Sequence, residues 1–539
     1  MSKQEFTGHP DARRSKANPL AWINLALLAI IVICCNYIGC NEYARVDLSE
    51  YESYSISQRT INVLKSEAIQ NRETPIRIIF AFQTSSPGYH RMYMLLEEYK
   101  RHADGKIEVE CFDPLRQPGR AREIENIYKV KFNQEICIVD ARDNKDAPID
   151  HYDADPGKAN LYSRIPGTAF SKYVVQPDGK RNVVALMMDE VLCSEIIRAS
   201  EGQQRKMYVV ANKGGIKLNQ NGQLEYDTIS LIRTITGSLN LKLEPIVLSE
   251  DSEQDIPADA EGLIIIAPQF DFEPCQIATL RKFWERNERK SIFIALDPEL
   301  PYFDTRHVRQ EGTDDQPETT KVVRGPRLSN LYQFLRENGI NPNGDDRILL
   351  RDSQRFINNI SVFFPESLEC TKSFWNNTTQ LEGRCRSFSL GHGDDSVASA
   401  QRLNFYPLIM TSADYYGETN PNRGAKLDGD DIAGPLCVAA AATRGSVDDP
   451  NRLNTLMVVG NLDMLAEEGA RKEVRDYLRS IWAWMIEKPE YAGKSTNYDL
   501  TVKIDLNRHS RSAVEHLTLI IMPLCSLLLA FIIWNTRRH

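Results

Sequence analysis

Two apolar runs bracket this chain and constrain everything between them. The first extends from Leu20 to Cys40, interrupted by Asn24 and Asn36, and the second, LTLIIMPLCSLLLAFIIW, from Leu517 to Trp534. Each is close to the ~20 residues that a helix needs to cross a bilayer. Arg13, Arg14 and Lys16 precede the first run, Glu42, Asp47 and Glu50 follow it, and Arg537 and Arg538 close the second. Positive flanks are retained on the cytoplasmic side. Both ends are therefore expected in the cytoplasm, with residues 41–516 on the far side, the periplasm if this is a bacterial inner (cytoplasmic) membrane. Pro523 is tolerable in a membrane helix whose neighbours satisfy the freed carbonyl, and Trp534 suits the interface. No A-x-A-like cleavage site follows the first run. Ile38-Gly39-Cys40 resembles the end of a lipoprotein signal, with a plain membrane cysteine as the other reading.

The stretch between the runs is no linker. A chain of 42% hydrophobic and 26% charged residues can bury ordinary cores, and its length suggests two or three domains. The net charge of -9, with no basic block away from the membrane flanks, argues against a nucleic-acid surface. Seven cysteines lie outside the runs, with no C-x-x-C, so neither a disulfide framework nor a zinc site is signalled. Cys370 and Cys385 flank a polar loop; they are either a disulfide, worth roughly 3 kcal/mol in the chain-entropy model, or two free thiols.

Periodicity then divides the region. IRIIFAF from Ile76, YHRMYMLLEEYKRHA from Tyr89 and KIEVECF from Lys106 read as a β-α-β unit, extended by a helix from Pro118 to Tyr128 and a strand, EICIVD, from Glu135. RDNKDAPIDHYDADPGKAN reads as a surface loop, and AFSKYVVQPDGKRNVVALM as a hairpin turning at Pro177-Asp178-Gly179. After a helix near Asp189, short apolar strands start at Met207, Lys242, Gly262 and Ser291, with helices around Thr228 and from Pro274 to Arg289. Such strands imply a parallel sheet covered on both faces. Asp304 to Lys321 is charged and is expected to be mobile; LSNLYQFLRENGI is a helix ending at Gly339; Ser353 to Gly434 is the least periodic stretch. A strand, NTLMVVG, from Asn454 and a helix from Arg471 to Ile486 close the block.

The expected class is α/β: Rossmann-like parallel or mixed sheets in two periplasmic blocks, flanked by two transmembrane helices. The divisions are a cytoplasmic tail 1–19, a membrane helix 20–40, a first α/β domain 41–188, a second, Rossmann-like domain 189–490, a linker 491–516, a membrane helix 517–534 and a cytoplasmic tail 535–539.

The order of segments carries a resemblance. VDLSEYESYSIS from Val46, ECFDP ending at Pro114, GLIIIAPQ ending at Gln269, ALDP ending at Pro298, SNLYQFLRENGI, DIAGPLCVAAAATRG from Asp431, VVGNLDML from Val458 and the terminal apolar helix together resemble the auxiliary component of gliding-motility-type ABC transporters. The resemblance spans nearly the whole chain and rests on order and topology. It implies a two-span protein with a large periplasmic α/β region, partnered by an ABC permease and, through it, by a cytoplasmic ATPase. It brings no catalytic residues and no cofactor. One departure stands out: a Gly-His-Gly-Glu-like segment usual after the strand MYVVA is replaced here by Asn212, Lys213, Gly214 and Gly215.

Other candidate motifs read as structure. Asp113-Pro114 and Asp297-Pro298 end strands, where Asp caps a turn and Pro fixes φ, although the carboxyl ends of parallel strands are also where α/β sheets bind ligands; Asp463 shares that ambiguity. Gly214-Gly215 could let a backbone approach an anion, with a simple turn as the alternative. GKST from Gly493 lacks the preceding glycine of a phosphate loop, because Lys488 holds that place. GHGDD from Gly391 gathers His392, Asp394 and Asp395 without a second histidine nearby, which reads as a polar turn rather than a metal site. No G-x-S-x-G elbow is present, and Cys275 opens a helix without flanking glycines. No catalytic, cofactor-binding or metal residue is assigned. The expected function is a non-enzymatic, membrane-anchored auxiliary subunit of an ABC transporter whose module contacts the permease or a ligand; the alternative is a membrane-anchored periplasmic hydrolase acting on envelope polymers.

Overall fold

The computed structural model describes residues 23, 24, 26–34, 55–86, 88–149, 161–175, 181–219, 222–225, 230–286, 288–299, 303–310, 319–344, 346–351, 359–393, 398, 399, 401–419, 425, 427–445, 453–467, 470–496, 498, 499, 523 and 524. It forms two compact units, Met1–Glu52 and Ser53–His539.

In the first unit the described residues are helical, and Leu27, Leu28, Ile30, Ile31, Val32 and Ile33 are each more than half exposed. They belong to the first expected span; of the second, only Pro523 and Leu524 are described, and both are helical. Among the described residues no helix is long and apolar enough to cross a membrane. The remainder of both expected spans, Cys40, the Pro177-Asp178-Gly179 turn and Asp394-Asp395 lie outside the described residues.

The second unit starts with a short helix, Gln58–Leu64, whose Ser57 cap accepts a hydrogen bond from the Thr60 amide. Strand β1 (Ile76–Ala81) pairs in parallel with β2 (Ile107–Phe112) across the helix Tyr89–His102, as the β-α-β pattern requires. The helix Pro118–Tyr128 then leads to β3 (Ile136–Asp140), which runs antiparallel to β1, and β4 (Tyr162–Pro166) adds to β3, giving a sheet ordered β2-β1-β3-β4. The described part of the expected surface loop keeps Asp143, Asn144, Asp146 and Pro148 exposed and is tied down at three points. Arg142 grips the Asp140 carboxylate, Lys145 and Ile149 are buried, and the Ile149 amide donates to the Ile127 carbonyl. Strands β5 (Ser171–Val175) and β6 (Arg181–Leu186) form the expected hairpin.

The helix Met188–Glu201 follows and packs against β3, β4 and the helix Ser230–Ser238. The boundary expected between residues 188 and 189 therefore falls at the start of an element that touches both blocks. A single apolar cluster runs through Ile78, Leu96, Ile196, Met207, Val459 and Trp482.

The large sheet contains β7 (Arg205–Val210), β8 (Leu241–Ile246), β9 (Ala260–Ile266) and β10 (Ser291–Ala295), all parallel. The next pair, β11 (Phe303–Gln310) and β12 (Thr319–Pro326), is an antiparallel hairpin in the region expected to be mobile. Thr305, Val308, Thr319, Thr320, Val322 and Val323 suit a strand despite the charges between them. The helix Ser329–Glu337 ends near Gly339 at φ +73. A Cβ on that glycine would lie 2.0 Å from the Phe405 ring.

The least periodic stretch and its flanks supply an antiparallel extension of the same sheet. They hold β13 (Ile340–Pro342), β14 (Arg347–Leu350), β15 (Asn359–Phe363), β16 (Thr378–Glu382), β17 (Phe388–Leu390), β18 (Leu403–Thr411), β19 (Tyr415–Glu418), β20 (Ile432–Ala433) and β21 (Cys437–Gly445). Of these, β14, β19 and β20 form a separate three-stranded sheet ordered β14-β19-β20. Then come β22 (Leu453–Val459), the helix Lys472–Met485 and β23 (Tyr498–Asp499). The main path runs β16-β15-β18-β21-β22-β10-β9-β7-β8, so the sheet is mixed, parallel from β22 to β8 and antiparallel from β16 to β22. The central strands β10 and β22 are buried on both faces, whereas β8 and β16, at the two edges of the path, carry exposed residues.

Candidate functional site

The parallel strands lie side by side in the order β8-β7-β9-β10-β22, a doubly wound arrangement whose direction of winding reverses between β7 and β9. Ligands of open α/β sheets settle in the crevice at the carboxyl ends beside such a reversal. Here the chain fills that crevice itself. The Lys213 carbonyl accepts the Gln269 amide at 2.7 Å, and the buried Lys213 Nζ donates to the Asp271 carbonyl at 2.9 Å, 5.1 Å from the centre of the Phe272 ring. Gly214 adopts φ +86, and a Cβ on Gly215 would lie 1.8 Å from the Ile266 carbonyl oxygen. The two glycines thus serve close approach of the chain to itself. Asn212 exchanges hydrogen bonds with Leu248 in both directions, closing the side toward β8.

The remaining carboxyl ends are also roofed by the chain. The Asp271 carboxylate accepts from the Asn330 amide at 2.9 Å and the Ser329 hydroxyl at 3.0 Å, capping the Ser329 helix. Asp297 receives the Glu299 amide, and Glu299 pairs with Arg384 at 3.3 Å. Asn461 Nδ2 donates to the carbonyls of Glu382 and Arg384, drawing that segment over the end of β22. Burial, then the negative field of Glu299, Glu382 and Asp297, raises the Asp463 carboxyl above its ordinary value. Asp113 closes β2 by accepting from the Thr84 amide and hydroxyl and the Leu115 amide, which hold its carboxyl below the ordinary range. Both Asp-Pro motifs are strand-end punctuation.

A denser polar assembly lies where the two ends of the module meet; its acids Asp189, Glu190 and Asp476 carry no sequence motif, while Ser57 ends the VDLSEYESYSIS segment and Ser495 belongs to GKST. Asp189 accepts from the Ser57 amide at 3.2 Å, the Thr60 hydroxyl at 2.8 Å and the Tyr99 hydroxyl at 2.7 Å. Its neighbour Glu190 accepts from Arg479 at 2.7 Å, and Arg479 also pairs with Asp476. Asp476 in turn accepts from the Ser495 amide at 2.9 Å and hydroxyl at 2.7 Å. Asp189, Asp476, Arg479 and Ser495 are all buried. Burial opposes charge on Arg479, but Asp476 and Glu190 outweigh it and raise its pKa, so the guanidinium stays charged. GKST is thereby placed as a docking loop: the Gly493 amide donates to Ser480, Ser495 binds Asp476, and Lys494 stands over the Phe374 ring. Ser55 and Thr496, the two ends of this assembly, line one small pocket. Asp499 and Tyr498 continue from there as β23, paired with β6.

Among the described residues no group of three or more His, Cys, Asp or Glu side chains could hold a metal ion. Cys370 and Cys385 are free thiols, and Cys275 donates to the Glu250 carbonyl.

A family described as a domain of unknown function (DUF7088) matches residues 50–146, the stretch that carries β1, β2 and β3. No curated protein matches the sequence. Among solved structures, the N-terminal domain of mmIFT52 is 13% identical with a TM-score of 0.32, covering 52% of this chain and 96% of that one. A ThuA-like protein from Bacteroides uniformis ATCC 8492 is 8% identical with a TM-score of 0.28, covering 54% and 95%. Another from Parabacteroides merdae ATCC 43184 is 9% identical with a TM-score of 0.25, covering 56% and 93%.

Proposed function

We propose that this chain is a non-enzymatic auxiliary subunit of an ABC transporter, of the gliding-motility type that its segment order resembles. Two helices anchor it in a bacterial inner membrane, with both termini in the cytoplasm and the α/β module in the periplasm against the permease. The observation that carries this reading is the meeting of Ser55 and Thr496 at one pocket. A module tethered at both ends needs its entry and exit side by side if both tethers are to reach one membrane. Here Ser57 and Thr60 bind Asp189, Ser495 binds Asp476, and Arg479 joins Asp476 to Glu190, the neighbour of Asp189. The exposed apolar residues of the helical stretch 26–34 support the anchor, because apolar surface of that kind seeks an apolar medium. The self-filled crevice at the β7–β9 reversal supports the accessory role, since Lys213, Asp271 and Asp297 are all committed to structural hydrogen bonds.

Affinity purification of the tagged full chain from native membranes tests this reading. A permease and its ATPase should co-purify, and replacing Leu517–Trp534 with a plain Leu/Ala span should remove them without unfolding the module. Failure of the unaltered chain to retain any permease would refute the assignment.

A further inference from the structure

The β16 edge of the large sheet bears a groove that neither the anchors nor the β7–β9 crevice explains. It measures about 700 Å³, within the size range of small-ligand sites, and all nine residues that line it are polar or charged. We propose that this groove binds an acidic saccharide.

The lining is ordered rather than loose. Gln380 on β16 stands opposite Ser361 on β15, both on the exposed side of the ladder, and Arg471 Nη2 donates to Gln380 Oε1 at 2.7 Å. Asn376 is held at φ +60, its amide bonded to the Phe364 carbonyl at 2.9 Å and its Nδ2 to Glu366 at 2.9 Å. Lys494 stands 5.6 Å from the centre of the Phe374 ring, with Gly493 and Ser495 on either side of it tied to the Lys472 helix. Pre-set side chains of this kind lose little freedom when a ligand arrives.

The chemistry selects the ligand class. Sugar hydroxyls both donate and accept, and they suit the amides and hydroxyls of Asn376, Asn377, Thr378 and Gln380. Arg471 and Lys494 against the single carboxylate Glu473 leave an excess of positive charge for an acid-bearing sugar. A bound peptide would call for apolar anchor pockets, and the lining offers no apolar side chain. The proposal stands independently of the transporter reading.

Calorimetric titration of the full chain in detergent with tetragalacturonate, cellotetraose and tetraglutamate tests it. Tetragalacturonate should bind saturably and at least tenfold more tightly than cellotetraose. Arg471→Gln with Lys494→Gln should cut that affinity at least tenfold at an unchanged melting temperature. Gln380→Ala should weaken both sugars, and Lys282→Gln, outside the groove lining, should change neither. The proposal is overturned if tetragalacturonate does not bind, if the groove variants bind it as well as the parent does, or if tetraglutamate binds equally tightly.

Discussion

Arg59 Nε donates to the carbonyl oxygen of Tyr491 at 3.2 Å, joining residues 432 positions apart, while a second nitrogen of the same guanidinium reaches the Ser238 carbonyl. Arg59 is fully buried, so this contact is a fixed join between the two ends of the module. In the full chain, Ser55→Cys and Thr496→Cys together should be linked by a short bismaleimide, and either substitution alone should not. Equal linking in the single variants would show that the native thiols, and not this proximity, are responsible.

Arg479 is the centre of the buried ionic chain, between Glu190 and Asp476. Removing one member of a buried pair leaves an uncompensated charge, so Arg479→Met should destabilise the module by about 3–5 kcal/mol. Chemical denaturation followed by tryptophan fluorescence measures this through Trp482, which is buried in the same helix. A loss below about 1 kcal/mol, the range of exposed ion pairs, would mean that solvent reaches the cluster.

Two glycines should respond in opposite directions. A Cβ on Gly215 meets the backbone oxygens of Ile266 and Ala267 at 1.8 and 2.4 Å, and neither can give way by a side-chain rotation. Gly215→Ala should cost about 1–3 kcal/mol or more. Gly119 lies in the Pro118 helix with nothing within 4 Å of its would-be Cβ. Gly119→Ala should stabilise by about 0.4–1 kcal/mol through the unfolded chain. Melting temperatures of the two variants test both signs.

Asp113 sets a dependence on acid. Its folded-state pKa is depressed, first by the Thr84 amide, below the ordinary value of 3.8. The resulting stability is present above 3.8 and is lost as pH falls through the depressed value. Urea midpoints should therefore fall less steeply for Asp113→Asn than for the parent when pH is lowered from about 5 to about 3. Parallel slopes would remove Asp113 from the acid response.

The sequence makes the local elements readable and leaves the long-range ones hidden. Strands such as β10 (Ser291–Ala295) and the amphipathic helix Lys472–Met485 show in their apolar spacing, because each buries a contiguous or periodic face. The Ala439–Ala442 run belongs to β21, buried between β18 and β22, although alanine alone favours helix; its neighbours in the sheet decide its conformation. The direction of β3 and the continuity of β16 with the parallel strands also depend on tertiary pairing. Asp189 and Asp476 carry no motif, and Ser495 stands in GKST without showing what it binds, because their partners lie on different segments of the chain. The Gly214-Gly215 pair is legible only as an unusual turn, and the fold turns it into the plug of its own crevice.

In the proposed topology one folded module stands outside the cytoplasm with an anchor at each end. Paired compartment reporters, active on opposite sides of the membrane, placed before Leu20, after His539 and within the chain at Asp314, test it most directly. The expected result is a cytoplasmic signal at both outer positions and an external signal at Asp314. A cytoplasmic signal at Asp314 would contradict it.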